Sequence, residues 1–345
     1  MTTSGRRVLA VAAGALAAAG AVGAFRRISA VGEVGALRRE GSAEPSGVYE
    51  AHGFVRRSVR TPVGEMVYHE AGEGAPLVFV HGVGGGASSW IWSKVAPAFV
   101  GRYRVVVPDL VGWGESEHPR RLLMFDDYVA GLGALLGEAV GEPAVVVAQS
   151  LAAGFSARLA RTDPGSVAGL VMMSPSGGKD FGRDSFGPLA RYTLTPVARS
   201  RPVNLLLYRL VFHSRSFIRS WLVSQGFYDP GAVSREVVDG FLWSARKPGA
   251  AYSALPFLTG DLRYDFAPYV RDLSVPAAMI WGSEERQVGV ENGRRLAALN
   301  PDVPLTFINR ARATPELELP AQTVAAIEAS LRGLSARQRE EVGRT

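Results

Sequence analysis

The chain has 345 residues, 47% hydrophobic and 20% charged, enough for one large core or two modest ones and too apolar for a disordered protein. It contains no cysteine, which excludes disulfides, thiolate metal sites and a cysteine nucleophile. The net charge of +6 is uneven: residues 1–60 hold nine arginines against four glutamates, and residues 185–228 hold six arginines and no acid. Neither stretch carries a nucleic-acid-binding motif, so no nucleic-acid partner is expected. One basic segment is hydrophobic and the other amphipathic, which suits an anionic membrane surface.

In chain order, the first element is "RRVLAVAAGALAAAGAVGAFRR", with an uncharged run of eighteen residues from Val8 to Phe25. A spanning helix needs about 17–25 residues. Residues 1–27 therefore read as a membrane anchor, with a signal peptide cleaved after Ala24 or a surface helix as alternatives. Arg26, Arg27, Arg38 and Arg39 outnumber Arg6 and Arg7, which favours a cytoplasmic body. Residues 28–52 have no apolar period and read as a linker.

From residue 53 strand and helix patterns alternate. "GEMVYHEAG" and "APLVFVHG" predict strands, "SSWIWSKVAPAFVG" a helix, "RYRVVVPDL" a strand and "FDDYVAGLGALLGEAV" a helix. "PAVVVAQS" is a strand running into the helix "LAAGFSARLARTD", and "VAGLVMMSP" is another strand. After an interruption come the strand "VPAAMIWG", the helix "VENGRRLAALN", the strand "VPLTFIN" and a closing helix from about Pro320. Such alternation predicts a mostly parallel sheet covered by helices on both faces. The core then comprises residues 53–175 and 271–335, followed by a charged tail, 336–345. The helical, arginine-spaced insertion 176–270 reads as a cap over the carboxyl edge of the sheet, where open α/β sheets bind ligands.

The chemistry centres on "VVVAQSLAAGFSARLA", which puts Ser150 between a strand and a helix. A sharp turn there exposes the hydroxyl and aims the next backbone N–H, that of Leu151, at a developing oxyanion. The usual pattern is G-x-S-x-G, but here both glycines are alanines, Ala148 and Ala152. A serine between small residues at a strand end is also an ordinary packing feature. "FVHGVGGGASSW" follows the preceding strand and "PDLVGWGESEHP" the next one.

In this order and spacing the three segments resemble the α/β-hydrolase fold family, in its branch with a helical cap. The resemblance covers roughly residues 53–335 and implies a mostly parallel eight-stranded sheet. It implies Ser150 as nucleophile, the N–H groups of Val83 and Leu151 as oxyanion donors, and His81, Gly82 and Gln149 on the binding side of the site. The family's acid falls on Glu285 in "IWGSEERQVG", with Glu284 as fallback. Its histidine is replaced: alignment on Glu318-Leu319-Pro320 puts Ala313 at that position, and the last histidine in the chain is His213. Loss of this base costs about 10⁶ in turnover in a serine protease and leaves roughly 10³–10⁴ over water.

The remaining histidines read as structural: His118 in a loop, His81 as packing, His69 and His52 early in the chain, and His213 on an amphipathic cap helix, with His213 reaching over Ser150 as the alternative base although the resemblance positions no acid to orient it. Asp109 also reads as structural, and Arg312 as an anion-binding or solvated arginine. No cofactor or metal pattern is present. Two functions follow. The chain is either a membrane-associated, serine-hydrolase-like protein acting on a lipophilic ester or acyl compound, or a catalytically silent member binding a lipid, small molecule or membrane partner. A lyase-like or oxygen-using enzyme on this fold is disfavoured, because such relatives generally need the histidine.

Overall fold

The computed structural model describes residues 47–177, 208–209 and 212–342. The expected anchor 1–27, most of the linker and most of the arginine-rich first part of the cap lie outside the described residues. Among the described residues, no helix is long and apolar enough to cross a membrane.

Eight strands form one sheet: β1 (Val55–Thr61), β2 (Gly64–Ala71), β3 (Pro76–Val80), β4 (Arg104–Pro108), β5 (Ala144–Gln149), β6 (Val167–Met173), β7 (Ala277–Gly282) and β8 (Leu305–Ile308). Their order is β1-β2-β4-β3-β5-β6-β7-β8; the β1–β2 and β2–β4 pairs are antiparallel and the others parallel. Every residue of β3 is buried, as expected of a central strand covered on both faces. Its side chains alternate between two cores. Val78 and Val80 join Val146, Leu132 and Phe155 on one face, while Leu77 and Phe79 join Trp92, Phe99 and Ile327 on the other.

β1 is an edge strand that the hydrophobic pattern does not reveal, because "VRRSVRT" is mostly polar and exposed. Its Arg56, Arg57 and Arg60 pair with Glu115, Glu70 and Glu117, and charges on an edge oppose pairing with a second chain. The expected helix over "SSWIWSKVAPAFVG" is a second departure: two 3-10 turns, Ser89–Trp92 and Ala96–Phe99, occupy it. Trp90, Ile91, Trp92, Val95, Ala96 and Phe99 are all buried, so no polar face remains for a surface helix, and Pro97 removes an amide donor. Asp109 ties this turn to the loop after β4, its carboxylate accepting from Ser89 N at 2.6 Å and Glu115 N at 2.7 Å.

Helices α1 (Phe125–Ala134) and α2 (Leu151–Thr162) follow β4 and β5. The insertion between β6 and β7 contains α3 (Arg215–Trp221), α4 (Arg235–Ala245), α5 (Ala250–Thr259) and α6 (Ala267–Arg271). α7 (Val290–Ala297) precedes β8, and α8 (Pro315–Glu318) and α9 (Pro320–Val342) close the chain. α9 thus continues through the first residues of the stretch read as a charged tail. In the described part of the cap Ile218 and Leu222 are buried while Arg219 is exposed, so the apolar side chains here face the protein.

Arg312 departs from both expectations, anion binding and solvation. It is 7% exposed, and its Nη1 donates to the carbonyls of Val223 (3.1 Å), Ser224 (3.3 Å) and Phe227 (2.8 Å) at the end of the π-helical turn Leu222–Gly226. Terminal carbonyls of a helix lack intrahelical partners and attract a cation, so the guanidinium is drawn there rather than to water. Three neighbouring links reinforce it. Ala313 N donates to Gln225 O (3.4 Å), Thr314 N to Gly226 O (3.1 Å), and the Glu318 carboxylate accepts from Tyr228 N and Asp229 N (2.8 and 2.7 Å). Removing a buried charged donor from such a network costs about 2–4 kcal/mol. We expect Arg312→Met to lower stability by that amount in urea titration and to speed amide hydrogen exchange selectively in residues 222–229; unchanged exchange there would refute the strap.

Candidate active site

Ser150 lies between β5 and α2 with φ 53° and ψ −124°, one of three non-glycine residues with positive φ among those described. Such a conformation costs about 1–3 kcal/mol and needs surrounding bonds to hold it. Ser150 N donates to Met173 O (2.9 Å), while its carbonyl accepts from Ala153 N (3.2 Å) and Ser176 N (3.3 Å). Ala148 and Ala152 are both fully buried, so strand and helix meet closely without the usual glycines. The glycine that matters is Gly154. A Cβ there would lie 1.8 Å from the Tyr264 hydroxyl, which sits 3.0 Å from both Leu151 O and Ser176 O. Tyr264 thus fastens the end of the cap to the elbow.

The loop after β3 closes the other side. A Cβ on Gly82 would be 3.3 Å from Ser150 Cβ, so this backbone runs beside the serine. Three residues on, a Cβ at Gly85 would fall 1.8 Å from the ring of Phe212, so glycine admits this cap aromatic. Among the described residues, neither Val83 N nor Leu151 N donates a hydrogen bond within the protein. Two unengaged amides flanking a strained serine can receive negative charge on a substrate oxygen.

His81 and Gln149 are engaged inside the protein. His81 is fully buried: its Nδ1 lies 2.7 Å from Gly82 O and its Nε2 accepts from Leu110 N at 3.0 Å, so the proton sits on Nδ1. Burial pushes its pKa below the ordinary value and keeps it neutral. Gln149 joins three segments: its Oε1 accepts from Gly82 N (3.4 Å), and its Nε2 donates to Ala313 O (3.2 Å) and Glu316 Oε1 (2.9 Å). Through Gln149, Ala313 lies beside the elbow, and both Ser150 and Ala313 are half-buried.

On the acid side Glu284 is exposed and Glu285 buried. Glu285 Oε1 accepts from Gln287 N (2.7 Å) and Val288 N (3.4 Å), while its Oε2 has no partner. Glu316, which the sequence does not single out from its neighbour Glu318, is fully buried, and its Oε2 also lacks a partner. Burial pushes Glu285 up to about 7, against its backbone hydrogen bonds and the more distant charge of Arg312. It pushes Glu316 up to about 8, with the charge of Glu285 adding to the rise. The two carboxyls repel, and around neutral pH at least one keeps a proton.

None of the other histidines touches this cluster. His118 Nε2 lies 3.1 Å from Gly114 O, His213 Nε2 lies 3.1 Å from Ala245 O within the cap, and His69 stacks on Tyr49 at 4.6 Å. His52 ends an exposed turn. A serine elbow, two free amides and a buried acid are present, and the imidazole between them is not. Among the described residues no cluster of side chains suits a metal ion.

The model for the alpha/beta hydrolase fold matches residues 75–312, about two thirds of the chain, and stops one residue short of Ala313. The chain belongs to the alpha/beta hydrolase fold family. It is 25% identical over 263 residues to a 2-hydroxy-6-oxo-6-phenylhexa-2,4-dienoate hydrolase of Delftia acidovorans, covering 70% of this chain and 82% of that protein. A 2-hydroxymuconate semialdehyde hydrolase of Pseudomonas sp. (strain CF600) is 36% identical over 115 residues, 32% of this chain and 39% of that one. Among solved structures, a membrane phospholipase A described as a bacterial virulence factor superposes with a TM-score of 0.65 at 18% identity, covering 96% of this chain and 99% of its own. At that identity the likeness is one of fold.

The raised carboxyls set a pH dependence. Between about pH 4.5 and 8 the folded chain holds a proton on Glu316 that the unfolded chain has lost, so folded protein binds more protons and stability falls as pH rises through that window. Glu316→Gln keeps the acceptor for Gln149 and removes the titrating group. The variant should melt a few degrees above the native protein at pH 9, with the gap closing toward pH 5. Parallel melting curves across that range would exclude the buried proton.

Proposed function

We propose that the chain is a membrane-associated, serine-hydrolase-like protein whose Ser150 site is laid out for acyl transfer from a lipophilic ester or related acyl compound and lacks a histidine of its own. The observation that carries this reading is the Ser150 backbone at φ 53°, held at cost between two unengaged amides. Strain of this kind persists where function uses it. In the reaction, Ser150 Oγ attacks the acyl carbon, and Val83 N–H and Leu151 N–H receive the oxyanion. The serine proton must then pass to a base and return to the leaving group. At Ala313 no side chain does this, which leaves a site able to stabilise the intermediate and slow to reach it.

Similarity to proteins named as hydrolases supports hydrolysis as the reaction class. The dienoate substrates in those names stay with those proteins, because an inactive base position weakens any transfer of substrate. The second reading, a silent member binding a lipid, small molecule or membrane partner, is favoured by one observation: buried Glu285 keeps the acid's place with no imidazole to orient.

Ala313→His separates the two. If only the base is missing, the variant gains about 10²–10⁴-fold in p-nitrophenyl ester hydrolysis, lost again on adding Ser150→Ala, together with Ser150-dependent fluorophosphonate labelling. A folded but inert Ala313→His would favour the silent reading. Membrane attachment rests on residues 1–27, since the described cap buries its apolar side chains. The full chain should float with anionic vesicles and a chain lacking residues 1–27 should not; equal flotation would sink the anchor.

A further inference from the structure

A groove of about 540 Å³, open to solvent, lies at the other end of the sheet from Ser150. Arg104 opens β4 while Ser150 follows the close of β5, and both strands run parallel to β3, so the groove is remote from the elbow. Strand alternation places Val55 and Arg57 of β1, Tyr68 and Glu70 of β2 and Arg104 of β4 along it, with Arg57 opposite Tyr68 in the register. Ala139, in the π-helical turn Leu135–Val140, forms its rim.

The polar groups here form a chain of supports. Arg104 donates from Nη1 to Val140 O (2.8 Å), from Nη2 to Ala139 O (2.9 Å) and from Nε to Glu70 Oε1. The other oxygen of Glu70 pairs with Arg57 Nε at 2.7 Å. Glu70 is thereby engaged on both oxygens and Arg104 on all three nitrogens. Arg57 is held through Nε alone, and neither of its Nη groups donates a hydrogen bond within the protein. A charge that only guards an edge strand needs no such bracing. Beside it, Tyr68 is 6% exposed, and its hydroxyl has no protein partner and is not sealed from solvent, so it faces the groove. Burial, with the charge of Glu70 adding, holds this phenol above its ordinary pKa and keeps it a donor at neutral pH. Two arginines and one glutamate leave the groove one positive charge, and Val55, 54% exposed, gives it an apolar wall.

We propose that this groove binds the carboxylate of a small organic acid, its oxygens meeting the free Arg57 fork and the Tyr68 hydroxyl and its carbon chain lying along Val55 and Ala139. Two parallel N–H groups of a guanidinium match a planar carboxylate. A phosphate dianion carries more charge than the groove offsets and is repelled by Glu70, so the single positive charge selects a monoanion. The site stands apart from the Ser150 chemistry and does not depend on whether that serine reacts.

Butyrate is the probe. Saturation transfer from the full chain to the butyrate methyl group, at constant ionic strength set with chloride, should show saturable binding. Tyr68→Phe keeps the ring and removes only the donor, and should weaken binding about tenfold. Arg57→Lys keeps the charge and loses the fork, and should weaken it about ten- to a hundredfold. Ser150→Ala should bind as the native chain does. Absence of saturable binding would overturn the site. Binding that both Tyr68→Phe and Arg57→Lys leave unchanged would also overturn it, by placing the anion elsewhere, such as at the amides beside Ser150. Inorganic phosphate that displaces butyrate at equal concentration at about pH 8, where it is chiefly a dianion, would overturn the choice of a carboxylate.

Discussion

The molecule is organised around one residue held in an unfavourable backbone conformation. Ser150 at φ 53° stays there because the sheet and the helix pull on it from opposite sides, with Met173 accepting its amide and Ala153 and Ser176 donating to its carbonyl. A turn this tight needs small neighbours, which fixes Ala148 and Ala152, and a helix that lets Tyr264 reach the elbow, which fixes Gly154. The Leu151 amide has no internal partner because it opens a helix, whose first N–H groups lack intrahelical acceptors, and the Val83 amide is left unpaired on the loop after β3.

Much of the core was legible in the sequence because its physics is local. Runs such as "VVVA" and "PLVFV" have no alternative to a strand buried on both faces, and Ser150 at the end of one of them marks the turn. What was not legible depends on partners distant in sequence. β1 showed no strand pattern, because its arginines make sense only against Glu70, Glu115 and Glu117. The two 3-10 turns at 89–99 looked like a helix, because tryptophan and phenylalanine at close spacing mimic an apolar face when the sheet face they pack on is unseen. In "TPELELP" nothing separates Glu316 from Glu318, yet one is fully buried against Gln149 while the other reaches the cap backbone. That no histidine follows His213, by contrast, needed no structure.

Buried carboxyls are usually paired or hydrogen-bonded on both oxygens. Here Glu285 satisfies one oxygen with backbone amides and Glu316 satisfies one with Gln149, and each leaves the other oxygen bare. The unbonded oxygens are enclosed by protein rather than turned to solvent. A buried carboxyl in such surroundings is commonly matched or bettered in stability by an apolar side chain of similar volume, so two of them together are costly to the fold.

The Arg312 network changes what the cap is. Where a lid and the loop beneath it are separate bodies, either can be exchanged between relatives. Here the loop after β8 grips the end of a cap helix through Arg312, Ala313, Thr314 and Glu318, so the two form one mechanical piece. A histidine-bearing loop grafted whole from a relative would arrive without that grip. A side-chain substitution at 313 leaves the backbone bond from Ala313 N to Gln225 O in place, whereas exchange of the whole loop does not.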